Sequence, residues 1–407
     1  MSRDRGPFLA WCWIRASLLL FVLSVPLHGQ RTNVLGTGID IAGGISNNPP
    51  LILPQPGTTG GEASVFIGLF PMISLDSRGG SSSINATFAY GLNRFQTSDP
   101  VVNHTQTASV NFQKRFSSRW NLSASESFSR SSDANTFYAL RGVEPEPVET
   151  TLPFSPIAAN LTAITNQAHV GLDNQFSQRS TLSFSLEHSL RGYGPTGPNS
   201  GLSDQHWMDL RVTYSRRISE RTSWNAGYVF SFFDFVGFLD AKSNGGQFGV
   251  STSIAKDTVL SATVGLSHIG ALDASQSTTG YEVSGSIQRS IGKNTLSFQI
   301  GQDSGRPNGI GSLSSNRQMS FGFSRNFGQK MSLFASASTF SSGGVLDNEF
   351  DSKGAGVTGN IGYSVSRKVS LQVGGQFQRY FEPSAYRFTQ RRLFFSIRYS
   401  QPNFLQF

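Results

Sequence analysis

The sequence contains a single cysteine, Cys12, among 407 residues. Cys12 lies in an N-terminal segment that we expect to be removed, so the mature chain would have neither disulfides nor thiolate sites. Charged residues make up 14% of the chain, against about 25% in ordinary soluble domains. The best apolar run of the remaining chain, residues 228–239, is interrupted by Ser231 and Asp234, which excludes a membrane-spanning helix.

The sequence also lacks the patterns typical of catalytic, metal-binding and phosphate-binding sites. The six histidines have no paired metal-ligand spacing, and no serine–histidine pair comes with an orienting partner. Glycine pairs are not followed by a helix that could bind phosphate. We therefore predict no catalytic residue, no cofactor, no metal and no enzyme activity. The basic residues are spread over the turns rather than gathered in one patch, so no nucleic-acid partner is expected.

The N-terminus has the features of a secretory signal peptide. Three arginines accompany the apolar run 16–25, and small residues follow around Gly29. The run is shorter than the roughly 20 residues of a membrane anchor. We predict that residues 1–29 are the signal and that cleavage falls before Gln30. The formal charge of the chain then falls from +8 to +6, because three arginines and one aspartate are lost.

A short turn recurs along the chain between segments that alternate apolar and polar residues. Residues 116–120 and 327–330 are two examples, and Phe321, Phe323, Arg325 and Phe327 precede the second. A period of two gives each strand one apolar and one polar face. Repeated alternating segments of about ten residues are typical of a membrane-spanning β-barrel.

Eight hairpins can be built outward from these turns. A closing strand follows at residues 390–400, and an opening strand fits residues 33–43. Bacterial barrels have short periplasmic turns and an even number of strands. The fold is thus predicted to be all-β: a transmembrane antiparallel up-and-down β-barrel of about 18 strands, with 16 as the fallback, formed by residues 30–407 as one domain.

A soluble β-sandwich would also alternate and turn frequently. Such a sandwich would carry charged residues on its outer face, whereas the polar face here is mostly serine, glycine, threonine, glutamine and asparagine. Small polar side chains leave room for water, and this favours a wet lumen inside a barrel.

Two sets of charged residues are candidates for function. The polar face carries nine that we predict to line a pore: Arg115, Asp173, Glu187, Asp209, Arg211, Arg217, Glu282, Arg392 and Arg398. Their mixed signs indicate a pore without strong ion selectivity, unless individual residues only pair across strands. A second set on the apolar face just before the turns is predicted to reach the phosphates of the inner leaflet: Lys114, Arg216, Arg289 and Arg325. Binding of a periplasmic partner is the alternative for that set.

Other acidic residues occupy less regular positions. The longest connection, residues 133–165, carries Glu144, Glu146 and Glu149 between prolines. This loop either folds inward and narrows the pore or stands above the membrane. Strict alternation directs Glu126 toward lipid, and we expect a β-bulge to turn it inward.

The hairpin pattern and the aromatic C-terminus resemble the bacterial outer-membrane β-barrel superfamily, and the chain is broadly porin-like over residues 33–407. The resemblance implies a location in a Gram-negative outer membrane, with membrane lipids and the barrel-assembly machinery as partners. That machinery usually reads a terminal aromatic residue. Phe407 matches, but the alternating strand is expected to end near Tyr399, so either residue could serve. Turn sequences such as residues 116–122 loosely resemble uncharacterised barrels associated with exopolysaccharide export.

Three functions follow as hypotheses from these observations. The first is an outer-membrane channel that passes small hydrophilic solutes by passive diffusion. The second is an outer-membrane conduit for exopolysaccharide export, and the third is a surface or adhesion barrel with a closed lumen.

Overall fold

The computed structural model describes residues 31–47, 63–96, 100–131, 163–193, 204–235, 240–272, 276–307, 313–345, 351–381 and 387–406. These residues form eighteen β-strands. In chain order the strands are β1 Thr32–Ser46, β2 Ser64–Arg78, β3 Ser82–Gln96, β4 Val101–Arg115, β5 Trp120–Ser131, β6 Ala163–Ser177, β7 Ser180–Tyr193, β8 Gln205–Arg217, β9 Thr222–Phe235, β10 Ala241–Ala255, β11 Thr258–Ala271, β12 Ser277–Ile291, β13 Asn294–Pro307, β14 Leu313–Phe327, β15 Met331–Gly344, β16 Asp351–Ser364, β17 Val369–Phe381 and β18 Arg387–Gln406.

Each strand pairs antiparallel with the next one along the chain, and β18 pairs with β1 to close the ring. The predicted eighteen-stranded up-and-down barrel is therefore confirmed, and the sixteen-stranded fallback is wrong. The opening strand, placed at residues 33–43 from the sequence, runs from Thr32 to Ser46 and pairs with both of its neighbours. Among the described residues no helix is long and apolar enough to cross a membrane.

The closing strand is longer than predicted. It does not end near Tyr399 but continues through Pro402 to Gln406. Leu35 faces Leu405 and Thr37 faces Gln401, so β18 carries extra residues in a bulge at this point. Proline has no N–H to donate, and a bulge is where a sheet tolerates it. Phe407, one of the two candidates for the assembly signal, lies outside the described residues.

The two ends of the barrel differ. Eight turns of two to four residues join strands at one end, here called the short-turn end. Links of four to 31 residues join strands at the other, here called the long-connection end. Serine side chains support several short turns: Ser117 Oγ accepts hydrogen bonds from the backbone N–H groups of Arg119 and Trp120, at 3.2 Å each.

The alternation sorts side chains into two faces. The outward register carries exposed apolar residues, among them Val264, Phe321 and Ile361, which are 52%, 47% and 45% exposed. The inward register carries mainly small polar residues, such as the facing pair Ser261 and Ser286. An apolar outer band around a polar interior is the arrangement expected in lipid.

Aromatic side chains on the outward register also form a continuous row. Phe176 stacks on Tyr214, Tyr214 meets the edge of Trp224, and Trp224 stacks on Phe248, with ring centroids 5.3–5.9 Å apart. Phe176, Tyr214 and Trp224 lie toward the short-turn end of β6, β8 and β9, and Phe248 continues the row at the middle of β10. Aromatic girdles of this kind mark the membrane–water interface of a barrel.

The two faces should differ in their tolerance of charge. Arginine in place of Val264, Phe321 or Ile361 should lower the free energy of unfolding by about 2–4 kcal/mol, because each site faces the mid-membrane. Ser286→Arg, on the inward face, should cost little. Urea titration of the barrel refolded in lipid vesicles measures both, and equal costs on the two faces would contradict the assignment of faces.

Candidate functional site: the barrel lumen

The nine residues predicted to line a pore all fall on the inward register. Asn121 pairs with Arg115 on one side and Asp173 on the other, and Asp173 faces Ser183. Arg217 pairs with Ser223, and Glu282 with Gly265. The remaining five lie on β7, β8 and β18: Glu187, Asp209, Arg211, Arg392 and Arg398. Arg115 and Arg217 are the last residues of their strands, so they lie at the rim rather than deep in the lumen. Their pore-lining role stays a prediction.

An ion pair spans the closing seam of the barrel. Asp40 on β1 faces Arg398 on β18, whose Nε and Nη2 donate to Oδ1 and Oδ2 at 2.7 and 2.9 Å. The Asp40 side chain is 3% exposed and that of Arg398 is 31% exposed. A two-pronged, largely buried guanidinium–carboxylate pair is a strong charge-assisted contact. Sequence reasoning did not propose Asp40, although the alternation of Ile39 and Ile41 places it on the inward face.

The inner face beside this seam is apolar rather than small and polar. Phe66, Phe70, Phe95 and Phe394 are at most 3% exposed and form one cluster with Ala42 and Ala89. Phe66 and Phe95 have ring centroids 5.6 Å apart. Arg392, predicted as a pore-lining cation, is 2% exposed and places its guanidinium 5.7 Å from the centroid of Phe66. The inner face, predicted from the sequence to be mostly small and polar, is thus apolar along the arc from β18 to β3.

The rings of this cluster lie against the wall over glycines. A Cβ added to Gly91 would come within 2.7 Å of the Phe70 ring, and one added to Gly374 within 2.5 Å of the Phe394 ring. Any side chain at either position would push the ring into the lumen. Glycine thus lets a large residue face inward without projecting across the channel.

Carboxylates gather on another part of the wall. Glu187 on β7 lies directly opposite Asp209 on β8, and His169 on β6 faces Glu187 from the other side. On β13, Asp303 Oδ1 accepts a hydrogen bond from Asn316 Nδ2 at 3.1 Å. Over the described residues, no group of three potential metal ligands comes together. The wall therefore carries carboxylates on β6–β8 and β12–β13, with Arg211 among them on β8, and arginines on β18.

The four predicted membrane anchors share the outward register. Lys114 faces Leu122, Arg216 faces Trp224, and Arg325 faces Leu333. Arg289 faces Leu296 in the same way. The Arg325 guanidinium lies 4.6 Å from the ring centroid of Phe327, which holds it against the outer surface. Their contact with lipid phosphates stays a prediction.

Glu126 does not turn inward. Its pairings with Val110 and Ala168 belong to unbroken registers on both sides, so the expected bulge is absent at this residue. It stays on the outward face, where Asn166 Nδ2 donates a hydrogen bond to Oε1 at 3.0 Å. The carboxylate is satisfied by a neighbouring amide instead of by a change in the backbone.

Two predictions fall on residues that the structure does not describe. The signal peptide, residues 1–29, is one of them. The other is the acidic loop with Glu144, Glu146 and Glu149. Both stay predictions.

A closed antiparallel barrel with an apolar outer band and a mainly polar interior defines an outer-membrane β-barrel, and this confirms the predicted location. Three solved structures illustrate the likeness. The BenF-like porin of Pseudomonas fluorescens Pf-5 is 12% identical, with 91% of this chain and 99% of that chain covered and a TM-score of 0.48. OccK2 (OpdF) of Pseudomonas aeruginosa is 12% identical, with 91% and 98% covered and a TM-score of 0.47.

OccAB4 of Acinetobacter baumannii is 9% identical, with 94% and 100% covered and a TM-score of 0.45. Structural similarity at these low TM-scores adds nothing to the barrel fold that the strand order itself establishes. No protein-family model matches the chain, and no curated protein matches it.

The seam ion pair can be tested by a double-mutant cycle. Asp40→Ala and Arg398→Ala should each lower the free energy of unfolding, and the double variant should lose less than the sum by about 1–3 kcal/mol. Asp76 and Arg78 pair at 2.7 Å but are 34% and 75% exposed, so the same cycle there should show no coupling. Equal coupling in the two cycles would contradict a structural role for the seam pair.

The outward polar pair should behave differently from the lumen pair. Asn166→Leu should destabilise the barrel by about 1–3 kcal/mol, because the Glu126 carboxylate then loses its donor next to lipid. Adding Glu126→Leu should restore stability to at least the original value. Unfolding of the three proteins in vesicles measures this, and a double variant weaker than Asn166→Leu would show that Glu126 is needed for another contact.

Proposed function

We propose that the protein is a passive channel for small hydrophilic solutes across the outer membrane. The observation that carries the proposal is the closed ring of eighteen strands with a mainly polar inward register. Barrels of 16–18 strands enclose an aqueous channel, whereas barrels of about eight strands are filled by their own side chains.

The lumen is predicted to be narrower than the ring. The apolar cluster of Phe66, Phe70, Phe95 and Phe394 occupies the arc from β18 to β3. A second buried apolar cluster, which includes Phe233, Phe235 and Ile269, lies toward the long-connection end. Solutes would therefore pass along the wall from β11 to β16, whose inward residues are mainly small and polar. The second cluster reaches this wall only at its long-connection end, through Ile269 and Leu313.

The charges of the wall support weak ion selectivity. Carboxylates on β6–β8 stand six to eight steps around the ring from the arginines of β18. Both signs thus border the same lumen. An uncharged or zwitterionic solute passes such a wall without a dominant electrostatic barrier.

Two binding partners are proposed, membrane lipids from the outer surface and the assembly machinery from the end of β18. Lys114, Arg216, Arg289 and Arg325 would bind phosphates of the inner leaflet, which places the short-turn end in the periplasm. The end of β18, with Phe404 and Leu405 more than half exposed, would be read by the assembly machinery.

Export of a polysaccharide is the second candidate, favoured by one observation: basic residues crowd the short-turn end, where a periplasmic polymer would enter. The closed-lumen barrel is the third, favoured by the buried inner clusters. Conductance separates this third function from the first two.

Purified protein in planar bilayers should give discrete conductance steps. Gln299→Trp, inward on the polar arc, should lower the step size, because the indole takes space from water. Ile300→Trp, the next residue and 53% exposed on the outward face, is the matched control and should leave it unchanged. A wild-type protein that inserts without conducting would overturn the channel in favour of the closed-lumen barrel.

A further inference from the structure

The tips of the short turns carry an excess of positive charge. Between the strands at this end lie eight lysines and arginines but only two acidic residues. Every turn from the one after β4 onward contributes at least one cation. The links at the opposite end have the reverse composition, with twelve acidic residues and one arginine. The barrel is therefore charged oppositely at its two ends.

The turns place these cations in a repeated way. Four turns have a serine whose Oγ accepts hydrogen bonds from the backbone N–H of the basic residue two positions later, at 3.2 Å in each case. The basic residues held in this way are Arg119, Arg179, Arg221 and Lys368. The others are Lys256, Lys293, Lys330 and Arg367, and all eight are exposed. None of the eight side chains forms an ion pair or a hydrogen bond with another residue of the described part of the chain.

These turn cations are distinct from the membrane anchors. Lys114, Arg216, Arg289 and Arg325 belong to strands and share the outward register. The turn cations lie beyond the last strand residues, where the chain leaves the sheet, so they surround the mouth of the lumen on its aqueous side. Lipid phosphates are expected beside the first set, whereas the tips project beyond the ends of the strands.

The spacing of the turn cations selects the kind of ligand. Neighbouring short turns are two strand spacings apart, about 10 Å or more. The Debye length in physiological salt is about 8 Å, so a small anion would feel one turn at a time. A single exposed ion pair contributes about 0–1 kcal/mol. Only an extended chain with repeated negative charges can contact several turns together.

The chemistry of the tips favours a sugar polymer over an acidic protein. Apart from the first residue of some turns, which continues the outward register, the tips consist of serine, glycine, glutamine and charged residues. Protein interfaces rely on apolar and aromatic anchors at their centre, and the tips offer none. Polyanionic sugars bind through charge and hydrogen bonds alone.

We propose that the ring of turn cations binds anionic polysaccharide at the short-turn mouth of the barrel. The idea that the bound polymer enters the lumen rests on the proposed channel function. Binding itself does not, because a ring of surface charges binds a polyanion whether or not the lumen conducts.

The test compares two variants of equal charge. Arg179→Gln/Arg221→Gln/Lys293→Gln/Lys330→Gln removes four turn cations, and Lys114→Gln/Arg216→Gln/Arg289→Gln/Arg325→Gln removes the four anchors. Each protein is placed in nanodiscs of zwitterionic lipid, which excludes anionic headgroups as the ligand, and its native fold is checked by gel mobility. Calorimetric titration with dextran sulfate, with neutral dextran as the blank, gives the Kd and its salt dependence.

The turn variant should bind dextran sulfate at least tenfold more weakly than wild type, with a shallower salt dependence. The anchor variant should change the Kd by less than threefold. Equal losses in the two variants would overturn the proposal, since net charge alone would then explain binding. So would a wild type that binds polyglutamate but not dextran sulfate. Binding by a protein that does not conduct would support this inference while ending the channel proposal.

Discussion

Closure of the sheet by β1 and β18 is the constraint on which the rest of the structure depends. Hydrocarbon offers no hydrogen-bond partner to a backbone N–H or C=O, so a strand edge left open in the membrane is very costly. The ladder from Val34–Gln406 to Ser46–Arg392 removes the last edge. Asp40 and Arg398 lie on this same ladder and add a side-chain contact on the inner face of the seam. Closure also separates the two registers into a lipid side and a water side.

Once the two sides are separated, the interior can be asymmetric. The arc around the seam packs phenylalanine rings against the wall, and the arc from β11 to β16 keeps mainly small polar residues, apart from Phe334 and Phe340 on β15. The phenylalanine rings of the first arc fill part of the cross-section of the lumen, whereas the small side chains of the second arc leave room for water. A tube that is nearly uniform in its backbone thus acquires a preferred side for polar solutes from side-chain size alone.

The sequence was sufficient for the fold because the signal is local. Alternation around each short turn predicts a hairpin. Eight hairpins with one strand before and one after them give the even number of eighteen strands. The sequence was insufficient to place side chains where a residue breaks the alternation. In β2 both faces are apolar around Phe66 and Phe70, so the pattern gave no reason to place rings in the lumen. The last strand was predicted to end near Tyr399, although a bulge carries β18 on past Pro402. Glu126 stays on the outward face instead of turning inward at a bulge, because Asn166, 40 residues away, supplies a donor that no local pattern reveals.

The seam has a consequence for how the protein reaches its native state. Its partners are more than 340 residues apart, so contacts that close the ring are the least local in the chain. Such contacts form late and slowly, because the entropy of a long loop must be lost first. A chain cut short before β18 would keep two open edges, the very surfaces that drive aggregation. Formation of the seam is therefore a condition of stability, because without β18 the strand β1 has no partner on that side.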